Sequence, residues 1–167
     1  MDHERIEALL GQPFESSDMQ AMLGELKLYD KPKAKKDDPD DFLAAKAMGI
    51  ELMFVDQDYI ARKPVLRYGN APMVFVGATL YSGRQSSSPA FRAFSGSLPG
   101  QARLDDTVDQ LVSKLGPPDM VDEDDGVVYA RVWHRGICHV GFNYNEGGVL
   151  QYVQLNWRDY MQRLTED

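Results

Sequence analysis

A single cysteine, Cys138, is all the thiol chemistry this 167-residue chain holds. One cysteine closes no intramolecular disulfide, so stability must come from a packed core, and the reading is a reducing compartment. No apolar run approaches the roughly 18 residues that would suggest a bilayer span. The opening Met1-Asp2-His3-Glu4-Arg5 lacks the basic and apolar segments of a secretory signal, so the expected location is the cytoplasm, with no membrane partner. Positive charge is also scarce. Lys+Arg number 18 against 26 Asp+Glu, a net charge of −8, which argues against binding a phosphate backbone and hence against a nucleic-acid partner. The excess is uneven: residues 1–100 carry 12 basic and 14 acidic side chains, whereas residues 101–167 carry 6 and 12. Such a field favours association with a protein of basic surface, solubility being the plainer reading.

Catalytic and cofactor motifs are missing as well. Ser86, Ser87 and Ser88 lie outside any G-x-S-x-G elbow, and Gly147-Gly148 belongs to neither a dinucleotide-binding nor a P-loop pattern. The run Asp122-Glu123-Asp124-Asp125 lacks the spaced ligands of an EF-hand and reads as a solvated turn. His134, Cys138 and His139 form an H-x3-C-H cluster, but on a strand Cys138 and His139 point to opposite faces, so no metal site is expected. The expectation is a protein with no cofactor, no metal and no catalytic residues.

What is present is a core. A chain of this length buries about two-thirds of its unfolded surface, and 43% of its residues are hydrophobic. The reading is one domain over 1–167, with a hint of two halves, 1–93 and 94–167. Ile6, Leu9 and Leu10 form a helical stripe stopped by Gly11-Gln12-Pro13. Ser17-Asp18-Met19-Gln20 reads as a capping box opening a helix through Met22, Leu23 and Leu26. The stretch 30–41, four lysines followed by four aspartates with two prolines, reads as an exposed loop. Strands are expected at 50–55, 64–68 and 73–81, and a polar loop at 82–89. The most regular helix carries Val108, Leu111, Val112 and Leu115, is capped by Asp105 or Asp106, and stops at Gly116-Pro117-Pro118. Both helix stops share an L-G-x-P pattern, and each precedes a set of strands.

Three further strands, at 127–133, 137–144 and 149–157, have connections short enough to force antiparallel hairpins. The fold class is therefore α+β, an antiparallel sheet with helices packed on one face. Alternation assigns Val128, Ala130, Val132, Val140, Phe142, Val153 and Leu155 to the face under the helix. It assigns Tyr129, Arg131, Trp133, His139, Asn143, Tyr152, Gln154 and Asn156 to the other, an aromatic-plus-arginine composition found at interaction hot spots. That second face is either a binding surface or a second core. Candidate partner-binding residues are thus Tyr129, Arg131, Trp133, His139 and Tyr152, with Asp122, Glu123, Asp124 and Asp125 as steering charge.

The run Phe94-Ser95-Gly96-Ser97-Leu98-Pro99, then Asp105-Asp106-Thr107-Val108, Lys114-Leu115-Gly116-Pro117-Pro118 and the meander, resembles immunity proteins of bacterial polymorphic and type VI secretion toxin systems. The same helix, L-G-x-P and meander order is similar to the helix-plus-sheet module of the β-lactamase-inhibitor protein type and of small outer-membrane assembly lipoproteins. From the lipoproteins the chain departs: no N-terminal cysteine is present to be acylated. The resemblance implies a cytoplasmic, non-enzymatic protein that binds and inhibits a cognate toxin enzyme through an aromatic-rich sheet face. The alternatives are a small enzyme or ligand-binding domain with a pocket between the halves, and a structural assembly adaptor.

Overall fold

The structure, a computed structural model, describes residues 1–85, 87, 88 and 90–165. Among these residues the chain forms one seven-stranded antiparallel sheet, and five α-helices flank it. Helices α1 (His3–Leu9) and α2 (Ser17–Leu26) come first, followed by strands β1 (Asp40–Ala45) and β2 (Ile50–Asp56), the single turn α3 (Gln57–Ile60) and strand β3 (Met73–Tyr81). A linker leads to α4 (Val108–Leu115), strands β4 (Met120–Asp124), β5 (Val127–Arg135), β6 (Cys138–Tyr144) and β7 (Leu150–Trp157), and α5 (Arg158–Thr165). Strand order is β1-β2-β3-β7-β6-β5-β4, so two meanders join side by side through their last strands, β3 and β7. The sheet is continuous across the chain.

Helices α1, α2 and α4 cover one face. Ile6 and Leu9 of α1, Met19, Met22, Leu23 and Leu26 of α2, and Leu111 and Leu115 of α4 share one core with Leu52, Phe54, Phe75, Leu80, Val140, Phe142, Val153 and Leu155 of the sheet. The amphipathic periodicity of each helix sets which side faces in, and burial of that stripe supplies most of its stability. Helix α5 lies on the opposite face and at one corner, where Tyr160 packs with Val55, Val74 and Val76. The antiparallel sheet with helices on one face is as the sequence implies; the position of α5 on the other face is the departure.

Local differences have physical causes. The cap of α2 is Ser16, whose hydroxyl accepts from the Met19 amide, and not Ser17. The cap of α4 is Thr107, in a reciprocal box with Gln110, and not Asp105 or Asp106. Asp106 instead accepts from the Arg103 amide and from Lys114 at 2.6 Å. Residues 64–68 are not a strand. The buried Asp56 carboxylate accepts from the amides of Asp58 and Gly69, which folds the segment between them back as a loop. Part of the acidic stretch 30–41 enters β1, and Met120–Asp124, whose acidic run the sequence suggests is a turn, is a fully exposed edge strand. Carboxylates there keep the open edge from pairing with other chains.

Candidate functional site

Two residues decide what the open face carries. Strand β5 turns into β6 through Gly136-Ile137, with Arg135 opposite Cys138, Trp133 opposite Val140 and Arg131 opposite Phe142. The sequence reading placed a three-residue connection, His134-Arg135-Gly136, between the strands. One residue fewer in the loop reverses the parity of pairing, so the β5 side chains from Ala130 to His134 exchange faces, up to the bulge beyond Ala130. Trp133 therefore lies on the helix-covered face, only 2% exposed, its indole in edge contact with Phe142 at 5.6 Å. Its Nε1–H donates to the Gly116 carbonyl (2.9 Å), and Arg135 donates to the Leu115 carbonyl (2.9 Å). Both satisfy carbonyls at the C-terminus of α4 that the helix leaves unpaired. The assignment of Trp133 to a partner-binding surface is corrected: it clamps α4 to the sheet. Arg131 is likewise on the helix side, 5.4 Å above the Tyr144 ring. Tyr129 is half-buried at a bulge, where pairing passes from Asp122–Ala130 to Glu123–Val128.

The face left uncovered by α1, α2 and α4 is built from the other parity. Registers across β5, β6 and β7 bring together Ala130, Val132 and His134, then His139, Gly141 and Asn143, then Tyr152, Gln154 and Asn156. Strand β3 continues it with Gly77, Thr79 and Tyr81, and β2 with Glu51. Of the sequence-selected residues, His139 and Tyr152 are here, with Asn143, Gln154 and Asn156, all half-buried. Asp122 borders the face through its pairing with Ala130, and Glu123, Asp124 and Asp125 continue along the edge strand and its turn, all exposed. At one side an aromatic cluster forms: Tyr81 stacks on Phe91 at 4.0 Å, meets Tyr152 at 6.1 Å, and its hydroxyl donates to Glu51 at 3.3 Å. Across the face the imidazoles of His134 and His139 stack with centroids 4.1 Å apart. His134, Tyr81 and Phe91 join the face although they are not among the sequence-selected partner-binding residues. Strand parity with a two-residue turn was the signal that reveals His134; Phe91 reaches the face only through the loop's course.

Electrostatically this face is mixed. Burial depresses the His139 pKa, and the neighbouring His134 and Arg158 add to that, with Asp119 opposing. A histidine whose folded pKa lies below its unfolded one gives stability that is fully present above about pH 6.5 and is lost as pH falls through the folded value. Thermal melts should therefore show wild-type Tm falling below pH 6.5 more steeply than that of His139→Gln; parallel profiles would assign the acid sensitivity elsewhere.

On the covered side Cys138 is fully buried, and burial pushes its thiol pKa up to about 12, the opposite of a reactive thiolate. Among the described residues no three His, Cys, Asp or Glu side chains converge as metal ligands, and no helix is long and apolar enough to cross a membrane. A cavity of about 510 Å³ opens at the linker between the two meanders, beside Ser82, Arg84, Ser95 and Arg103.

No family model matches the chain, and no curated protein matches it. Among solved structures it is similar to a cysteine-rich secretory protein from Staphylococcus aureus, at 8% sequence identity and a TM-score of 0.49, over 92% of this chain and 46% of that one. The chain thus spans less than half the length of that protein, and a likeness of this degree carries no argument about fold or activity.

Proposed function

We propose that this chain is a non-enzymatic binding protein that lays the open face of its sheet on a protein partner, and that the partner is a toxin enzyme which it neutralises in the cytoplasm. The observation that carries this reading is the composition of the face: tyrosine, histidine, asparagine and glutamine side chains, half-buried and held on the rigid central strands of a sheet. Aromatic and amide groups fixed on regular strands bury area with little further loss of side-chain freedom, which is what a hot-spot surface requires. The resemblance to immunity proteins supplies the class of partner. A test is to co-express this chain with the product of each gene beside its own. The reading expects one of those products to arrest growth alone and to be silenced by this chain; failure of every flanking product to do so would contradict it.

The acidic edge has its own consequence. Replacing Asp122, Glu123, Asp124 and Asp125 by Asn, Gln, Asn and Asn should slow association with a basic partner and flatten its salt dependence, while dissociation changes less. Stopped-flow association rates at several salt concentrations check this. Unchanged rates would leave these residues as guardians of the sheet edge. The alternative function, a small-ligand protein, is favoured by the cavity at the linker, whose lining includes Ser82, Arg84, Ser95, Arg103 and Asp105.

A further inference from the structure

A second cavity, of about 370 Å³, lies on the helix side of the sheet at its β4–β6 end, bounded by Val108, Val128, Arg131, Tyr144, Glu146 and Gly148. Its one cation is set apart from the other basic residues of the C-terminal part. Arg103, Lys114 and Arg158 each sit within ion-pair distance of a nearby aspartate, at 3.1, 2.6 and 3.9 Å. Arg135 and Arg163 donate to backbone carbonyls. Among the described residues Arg131 has neither a carboxylate nor a carbonyl; the half-buried guanidinium lies against the Tyr144 ring. The Tyr144 hydroxyl beside it is buried, with the Arg131 guanidinium near enough to act on it but not at regular hydrogen-bonding geometry. This arrangement occurs where acidic residues outnumber basic ones two to one, so the missing counter-ion is not for want of carboxylates in the chain.

We infer that this cavity is an oxyanion site, in which the Arg131 guanidinium and the Tyr144 hydroxyl together hold a carboxylate or phosphate group. A guanidinium presents a planar fork of N–H donors that fits two oxygens of such a group, and leaving it unmatched in a partly desolvated place is unfavourable. The phenol adds a further donor. Gly126 and Gly148, both at positive φ, have open space where a side chain would stand, so their backbone leaves the mouth clear. The volume exceeds that of a lone carboxylate and admits a small organic acid or the acidic side chain of a partner. The site lies on the other side of the sheet from the open face and does not depend on what that face binds. Glu146, exposed on the rim, is the competing internal anion.

The test uses the full chain, isotope-labelled, titrated separately with succinate and with inorganic phosphate against chloride at matched ionic strength. Saturable shifts are expected at the amides of Gly126, Val128, Gly147 and Gly148 and at the Arg131 side chain, with the tighter of the two probes identifying the ligand class. Arg131→Gln should weaken binding about tenfold or more, Tyr144→Phe by a smaller factor, and Glu146→Gln should strengthen it. Should Arg131→Gln fail to fold, the wild-type map and Glu146→Gln still decide. Absence of saturable shifts with both probes, shifts centred instead on the lysines of 31–36, unchanged affinity in Arg131→Gln, or weaker binding in Glu146→Gln would each overturn the assignment.

Discussion

Trp133→Ala is expected to cost about 3 to 5 kcal/mol of folding stability, the range for removing a large aromatic ring from a close-packed core. The ring is lost from contact with Phe142, and the Gly116 carbonyl loses the indole N–H that satisfies it. An unpaired carbonyl at a half-buried helix end adds its own, smaller penalty to the cavity. Because Gly116 is where α4 stops, the variant should also loosen the helix from the sheet. Denaturant midpoints at constant slope measure the effect. A midpoint near the wild-type value, with a loss of partner affinity instead, would return Trp133 to the surface and contradict the β5 register.

Leu111→Ala should destabilise the protein by about 2 to 5 kcal/mol, as buried leucine truncations do. Leu111 is 1% exposed and central in the apolar stripe of α4, with Val108 and Leu115 one turn away on either side. Both substitutions weaken the attachment of α4 to the sheet. Once one has freed the helix, the other removes contacts already compromised, so the double variant should lose less than the sum of the single losses. Calorimetric melts of the two single variants and the double variant check this; strict additivity would mean that Trp133 and Leu111 report on separate parts of the core.

How far the sequence reaches depends on whether a local rule or a long-range one sets each feature. Helical stripes such as Ile6, Leu9 and Leu10 and the stop at Gly116 are written in neighbouring residues, and they are legible. So are β2, β3, β6 and β7, to within a residue or so at each end. Strand β1 is not, because its six residues begin inside a charged stretch and gain their identity only by pairing with β2. The site was half legible for a similar reason. Strands β6 and β7 present His139, Asn143, Tyr152, Gln154 and Asn156 on the open face as alternation implies. From Ala130 to His134, strand β5 exchanges its two sets of side chains because its turn is one residue shorter than it looks, and Arg131 and Trp133 move to the helix side. Alternation specifies two faces but not which of them joins which face of the next strand; that is fixed by the turn. Apolar Val132 and Ala130 on the open side mislead for the same reason, since a valine read alone suggests the core.

The binding proposal stands or falls on the central strands of the open face. The decisive comparison is the affinity of whichever partner the co-expression test identifies for wild-type protein and for the triple variant Asn143→Ala, Tyr152→Ala, Gln154→Ala, each first shown to be folded by circular dichroism. The three residues lie side by side on β6 and β7, away from α4, and hot-spot truncation at such positions costs about 2 kcal/mol or more apiece. A loss of affinity of at least about a hundredfold is predicted. Full affinity in the triple variant, with binding lost instead on substitution of exposed residues of α1 or α2, would place the partner on the helical side and contradict the proposal.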